Sequence, residues 1–326
     1  MYKTLYLLLI SLLLSFSCNA QSERILIDQE LITDWSVYPF FDKLTEGNGD
    51  QRQWKELFRY LDSINIYQIS YLSDGLKIKG FMASPKENGT YPAVIFNRGG
   101  NMDFGAINPA MAASLLGKLA NEGYVVIASQ YRGNAGGEEG KEEFGGSDVN
   151  DVLALIDLLA EFENVDTSNI GMYGWSRGGM MTYIALRRTN RIKAAVVGGA
   201  VSNSFKTIDD RPEMESVYRE LIPNYDTNKE DELEQRSAIK WADQFPKDVP
   251  ILILHGNADW RVKVDQSLSL AIEFDKYRIP YRLIIYEGGD HGLSEHRTEV
   301  DREVVNWFNR FLKQGEALPK MEYHGK

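Results

Sequence analysis

The chain has 326 residues, 36 Lys+Arg against 47 Asp+Glu, a formal net charge of −11, 43% hydrophobic residues and one Cys. That apolar fraction excludes a disordered chain, and the single Cys excludes both an intrachain disulfide framework and a multi-cysteine zinc site. An acidic balance without basic tracts excludes nucleic-acid binding, which rests on Lys and Arg neutralising phosphates.

Residues 1–20 read as an export signal. Lys3 supplies the positive end, and the apolar run from Leu5 to Leu14 is too short to span a bilayer. Ser15, Phe16, Ser17, Cys18, Asn19 and Ala20 follow. Two outcomes stay open: cleavage after Ala20, which discards Cys18, or cleavage before Cys18, which leaves a thiol for a lipid anchor. Both put the protein outside the cytoplasm, as a periplasmic, secreted or envelope-anchored chain. No other run is long and apolar enough to be a transmembrane span.

Residues 21–65 form an N-terminal arm, in which Trp54, Leu57, Phe58 and Leu61 predict a helix over Gln51–Leu61. Residues 66–326 form the main domain. Ile66–Leu72 and Leu76–Met82 flank Ser73-Asp74-Gly75 as a hairpin. Strands are predicted at Ala93–Asn97, Tyr124–Ser129, Ile170–Tyr173, Ala194–Val197, Ile251–Leu254 and Leu283–Tyr286. Helices are predicted at Ala110–Asn121, at Asp148–Phe162 with Ser147 as N-cap, at Met180–Arg188, and at the end of the chain through Val300, Val304, Val305, Phe308 and Leu312. This alternation implies an α/β fold with a mostly parallel central sheet flanked by helices. Residues 202–248 interrupt the rhythm as a helical insertion before the penultimate strand. They are either a lid or an ordinary excursion.

The most informative motif is Gly174-Trp175-Ser176-Arg177-Gly178-Gly179, between a strand and a helix. A strand turning sharply into a helix needs small residues around the turn, and it holds the serine exposed at the apex. The helix N-terminus offers N–H groups to a developing oxyanion. A serine nucleophile needs a base, and there are only four histidines. His291, in Gly288-Gly289-Asp290-His291-Gly292, lies just past a strand end on the edge that carries Ser176. His255 reads as structural. Asp259, in His255-Gly256-Asn257-Ala258-Asp259-Trp260, is the orienting acid, because Asp290 adjoins His291 and points elsewhere. The order Ser176, Asp259, His291 is that of the α/β-hydrolase fold.

Arg98-Gly99-Gly100 follows the strand Ala93–Asn97. One oxyanion N–H then comes from Arg177 and the other from Arg98 or Gly99. Trp175, Trp260 and Tyr131 sit on loops at the same edge as candidate substrate-binding residues. Gly136-Gly137-Glu138-Glu139-Gly140-Lys141 is not a phosphate loop, because Glu142 stands where Ser or Thr is needed and its acids repel phosphate. No metal-binding spacing occurs, and no cofactor is expected.

Arg98-Gly99-Gly100, Tyr131-Arg132-Gly133, the Ser176 motif, His255-Gly256-Asn257-Ala258-Asp259 and Asp290-His291-Gly292 together resemble the catalytic domain of the prolyl oligopeptidase family. The resemblance covers roughly residues 66–313. It implies an α/β-hydrolase fold with Ser176 as nucleophile, Asp259 as acid and His291 as base. Family endopeptidases also carry a large N-terminal β-propeller, for which residues 21–65 are too few. Arg98 stands where many members place a tyrosine. The expectation is a serine hydrolase that cleaves an ester or small-peptide amide through an acyl-enzyme. The alternatives are an acyltransferase with the same triad or a non-catalytic binding lipoprotein.

Overall fold

A computed structural model of the chain describes residues 24–136 and 140–325. The export segment with Cys18, and Gly137-Glu138-Glu139, lie outside the described residues. The strands in chain order are β1 (Leu26–Leu31), β2 (Thr45–Glu46), β3 (Gln53–Trp54), β4 (Ile64–Ser73), β5 (Leu76–Pro85), β6 (Tyr91–Asn97), β7 (Val125–Ser129), β8 (Val165–Trp175), β9 (Ile192–Gly198), β10 (Ile251–Gly256) and β11 (Tyr281–Tyr286). Nine of them form one sheet among the described residues, in the order β1-β4-β5-β7-β6-β8-β9-β10-β11. From β7 to β11 every neighbour is parallel, whereas β1, β4 and β5 join antiparallel.

The parallel strands β6 to β10 are largely buried on both faces, as helix-covered strands must be, whereas the edge strand β11 is partly exposed. Side chains alternate between two cores. Ile95, Ile127, Met172, Val197 and Ile253 pack on one side, and Val94, Val126, Tyr173, Val196 and Leu252 on the other. Helices Asp148–Leu158, Arg177–Arg188 and Asp265–Tyr277 cover the first face. The segment Pro109–Asn121, which relaxes into a π turn at Ala112–Leu116, and the helix Arg297–Phe308 cover the second. Residues 202–248 are helical as expected, with helices Ser204–Asp210, Met214–Leu221 and Tyr225–Gln235.

Two local expectations are corrected. Gln51–Leu61 is not an α-helix: Gln53–Trp54 pairs with Thr45–Glu46, and a 3₁₀ segment runs from Glu56 to Ser63. Trp54 is drawn out of the helical pattern by edge contacts with Trp35 and Phe41, at centroid distances of 5.7 and 5.6 Å. Ser147 does not cap the following helix. Its hydroxyl donates to Glu143 at 2.8 Å, while Asp148 accepts the Gly145 N–H at 2.9 Å. The N-terminal arm joins the sheet, because β1 forms its edge beside β4.

Candidate active site

The C-terminal ends of β6, β8, β9, β10 and β11 meet at one edge, with Asn97 opposite Gly174, Trp175 opposite Gly198, and Gly256 opposite Tyr286. Loops leaving this edge are tied together. Ser176 N–H donates to Gly198 O at 2.8 Å, Gly199 N–H to Leu254 O at 2.9 Å, and Ala258 N–H to Gly289 O at 3.0 Å.

Ser176 has φ +57° and ψ −123°, a conformation that non-glycine residues rarely adopt and that surrounding packing must enforce. The flanking glycines show how. A Cβ on Gly174 would overlap Gly178 O, and one on Gly178 would overlap Asn97 O. The strand end, the helix start and the β6 strand end therefore touch backbone to backbone. Arg177 is the first residue of the following helix, where N–H groups have no partner within the helix.

His291 and Asp259 come together on neighbouring loops. His291 Nδ1 donates to Asp259 Oδ2 at 2.7 Å, because an ionised carboxylate only accepts. That leaves Nε2 as the basic nitrogen. Trp175 Nε1 donates to the His291 carbonyl at 2.8 Å and so fixes the histidine loop. Gly199, at φ +48°, lies under this pair: a Cβ there would sit 3.3 Å from both Asp259 Oδ2 and His291 Nδ1. Asp259 Oδ1 accepts the N–H groups of Arg261 and Val262 at 2.8 and 3.0 Å. Burial of Asp259 acts to raise its pKa, but hydrogen bonds from His255 and His291 prevail and hold it well below the usual carboxylate range. Asp290 instead turns to the N–H groups of Gly292 and Ser294, each at 3.0 Å. His255 is fully buried, with Nδ1 2.6 Å from Ser267 Oγ and Nε2 donating to Val262 O at 2.8 Å.

Ser176, His291, Arg98, Gly99, Arg177 and Trp175 all line one cavity of about 350 Å³. Gly99 lies against the serine: a Cβ on it would fall 3.2 Å from Ser176 Cβ. The Arg98 side chain turns away beneath the loop, donating to Gln130 O at 2.8 Å and Met102 O at 2.9 Å. Thr207, Arg211 and Met214 reach the cavity from the insertion, and Phe96, Phe104, Met111, Leu115 and Tyr173 make its wall largely apolar.

Two expected substrate contacts are corrected. Tyr131 does not line the cavity. It is buried beneath it, its ring held between the guanidiniums of Arg98 and Arg177 at 4.9 and 5.0 Å, and its hydroxyl donates to Arg98 O at 3.0 Å. Trp260 is exposed and stands outside the cavity wall, with Arg211 and Arg261 over its ring at 5.4 Å each.

Sequence reasoning missed the polar cluster below the serine. Glu142, 2% exposed, accepts from Arg177 Nη1 at 2.7 Å, Asn134 Nδ2 at 2.6 Å and Met102 N–H at 3.0 Å. Asp148 pairs with the other Arg177 nitrogen. Burial acts to raise the Glu142 pKa, but the neighbouring Arg177 charge and these hydrogen bonds outweigh it and lower it. The only signal in the sequence was an acid at the end of a glycine-rich segment. No group of three or more His, Cys, Asp or Glu that could hold a metal ion occurs among the described residues. No helix among them is long and apolar enough to cross a membrane.

Residues 112–315, more than half of the chain, match the family model for the prolyl oligopeptidase family. The chain belongs to the prolyl oligopeptidase family. It is a serine hydrolase of the peptidase type. Within this family it is 30% identical over 247 residues to the uncharacterized peptidase YtmA of Bacillus subtilis, covering 75% of this chain and 93% of that protein. It is 25% identical over 243 residues to dipeptidyl-peptidase 5 of Porphyromonas gingivalis, covering 70% of this chain but 34% of that one. Among solved structures, the acylaminoacyl peptidase of Pyrococcus horikoshii superposes with a TM-score of 0.69 at 21% identity, over 83% of this chain and 46% of that one. The puromycin-hydrolyzing peptidase of Mycobacterium tuberculosis gives 0.64 at 23% identity, over 75% and 39%. The chain thus spans nearly all of YtmA and less than half of the other three. The structural likenesses establish the fold, a sheet flanked by helices as in family catalytic domains.

Proposed function

We propose that Ser176, His291 and Asp259 act as nucleophile, base and orienting acid in cleaving an amide or ester bond of a short acylated peptide. His291 Nε2 takes the hydroxyl proton as Ser176 Oγ bonds to the carbonyl carbon. The N–H groups of Arg177 and Gly99 receive the oxyanion. His291 returns the proton to the leaving nitrogen or oxygen, and the C–N or C–O bond breaks. A water molecule deprotonated by His291 then attacks the acyl-enzyme and frees Ser176. The observation that carries this reading is the 2.7 Å His291–Asp259 hydrogen bond on the wall of the cavity that also holds the strained Ser176. A cavity of about 350 Å³ suits a ligand of a few residues.

Fluorophosphonate labelling is the direct test. Wild-type protein is expected to label and Ser176→Ala to label not at all. Equal labelling of both would remove Ser176 as nucleophile. Export through residues 1–20 belongs to the same proposal, supported by Lys3 and the apolar run after it. The mass of the mature N-terminus distinguishes a chain beginning after Ala20 from one acylated at Cys18, and retention of residues 1–20 in the mature protein would reject export.

A further inference from the structure

Tyr131 has φ +65°, a left-handed backbone that an aromatic residue rarely adopts and that persists only where the surroundings hold it. Here both its backbone and its ring are held. Its N–H donates to Ser129 Oγ at 2.9 Å, and its ring lies between the guanidiniums of Arg98 and Arg177. The residue is 1% exposed. Burial raises the pKa of the hydroxyl, outweighing the two arginine charges, so the group stays protonated and can donate. It donates to Arg98 O at 3.0 Å.

That carbonyl belongs to the peptide unit whose nitrogen is Gly99. In a planar trans peptide the C=O and N–H bonds point in opposite directions, so whatever fixes one aims the other. Arg98 O is turned into the body of the protein, against the Tyr131 hydroxyl and against Gly178, where a Cβ would fall 2.7 Å from it. The Gly99 N–H therefore faces the other way, toward Ser176, whose Cβ would lie 3.2 Å from a Cβ on Gly99. The next carbonyl, Gly99 O, accepts from Arg98 Nη1 at 3.2 Å, which holds the following peptide as well. A glycine here leaves the chain free to rotate unless such contacts stop it.

We infer that Tyr131 is a positioning residue: its hydroxyl sets the Arg98–Gly99 peptide so that the Gly99 N–H meets the oxyanion formed at Ser176. The inference deepens the hydrolase reading above and rests on it. Tyr131 touches no substrate. It acts from beneath the cavity through a main-chain unit, and its effect appears only when the substrate carbonyl oxygen becomes charged.

Tyr131→Phe removes the hydroxyl and keeps the ring between the guanidiniums. With the p-nitrophenyl ester of N-acetyl-alanine, the variant is expected to lose about tenfold or more in kcat with KM within about twofold; outright removal of an oxyanion donor costs about a hundred- to a thousandfold. N-Acetyl-alaninal reads the oxyanion directly. Ser176 Oγ bonds to its carbonyl carbon, the hydroxyl proton passes to His291, and the carbonyl oxygen takes the negative charge. Its inhibition constant should rise by about the factor by which kcat/KM falls, while that of N-acetyl-alanine amide, which carries no such charge, stays within about twofold. Tyr124→Phe, which removes another buried tyrosine's bond, to Asn309 at 2.8 Å, controls for stability. Wild-type kinetics in Tyr131→Phe, or an equal kinetic loss in Tyr124→Phe at the same melting temperature, would overturn the inference. Wild-type protein that neither labels with fluorophosphonate nor hydrolyses would count against the hydrolase reading alone. A crystal structure of Tyr131→Phe then decides: an Arg98 carbonyl turned away from its present direction supports the role of Tyr131, and one that keeps that direction overturns it.

Discussion

At the scale of single residues, Asp259 does the most with one side chain. One oxygen accepts two backbone N–H groups and so is locked in place, and the other faces His291. Replacing it with asparagine keeps the shape but presents an N–H₂ group in place of one acceptor, and favours the tautomer with its proton on the wrong nitrogen. Asp259→Asn should lower kcat by about three to four orders of magnitude, with KM little changed. A fall of less than about tenfold at neutral pH would mean that something else orients His291. The gathering of Ser176, Asp259 and His291 at one sheet edge was legible in the sequence because histidines are few and each candidate lies just beyond a strand end. Arg261 was not. Nothing in Asp259-Trp260-Arg261 says that the tryptophan will face solvent and the arginine the cavity.

Among elements, the loop after β6 and the segment 130–142 are joined through Glu142, which touches Arg177, Asn134 and Met102 at once. Removing one partner of a buried ion pair costs about 3 kcal/mol, so Glu142→Gln should destabilise the fold by that order at pH 7. The pH dependence has a definite sign. The folded-state pKa of Glu142 is lowered, so its contribution is fully present above the unfolded value of about 4.3 and fades as pH falls below it. Denaturant unfolding of both proteins between pH 7 and pH 3 should show a constant gap that narrows below about pH 4. A gap independent of pH would exclude ionised Glu142 as its cause. This cluster was not readable in advance, because its contacts join positions far apart in sequence and leave no periodic pattern. The misread segment 51–61 failed for a related reason: aromatic packing of Trp54 outweighs a local helical spacing.

Across the whole molecule, the strands and their mostly parallel arrangement were legible wherever short apolar runs alternated with helical patterns. The edge strand β1 was not, because five of its six residues are exposed and carry no apolar alternation. Its attachment is the ladder to β4 and the Glu161 carboxylate, which accepts the Ile25 and Leu26 N–H groups. Four strands separate β1 from β8, roughly 24 Å at the usual spacing. Glu161→Ala should therefore speed amide hydrogen exchange across residues 25–31 while leaving the fluorophosphonate labelling rate of Ser176 within about twofold. A large loss of labelling would show that the N-terminal strand and the site open together.

The backbone at Ser176 has a consequence of its own. Its left-handed turn is enforced by three elements in direct main-chain contact, so it cannot relax while they remain together. A folded chain with a slackened serine is thus a state this architecture does not offer. The serine's backbone conformation exists before any ligand arrives, and it vanishes only when the centre of the sheet comes apart.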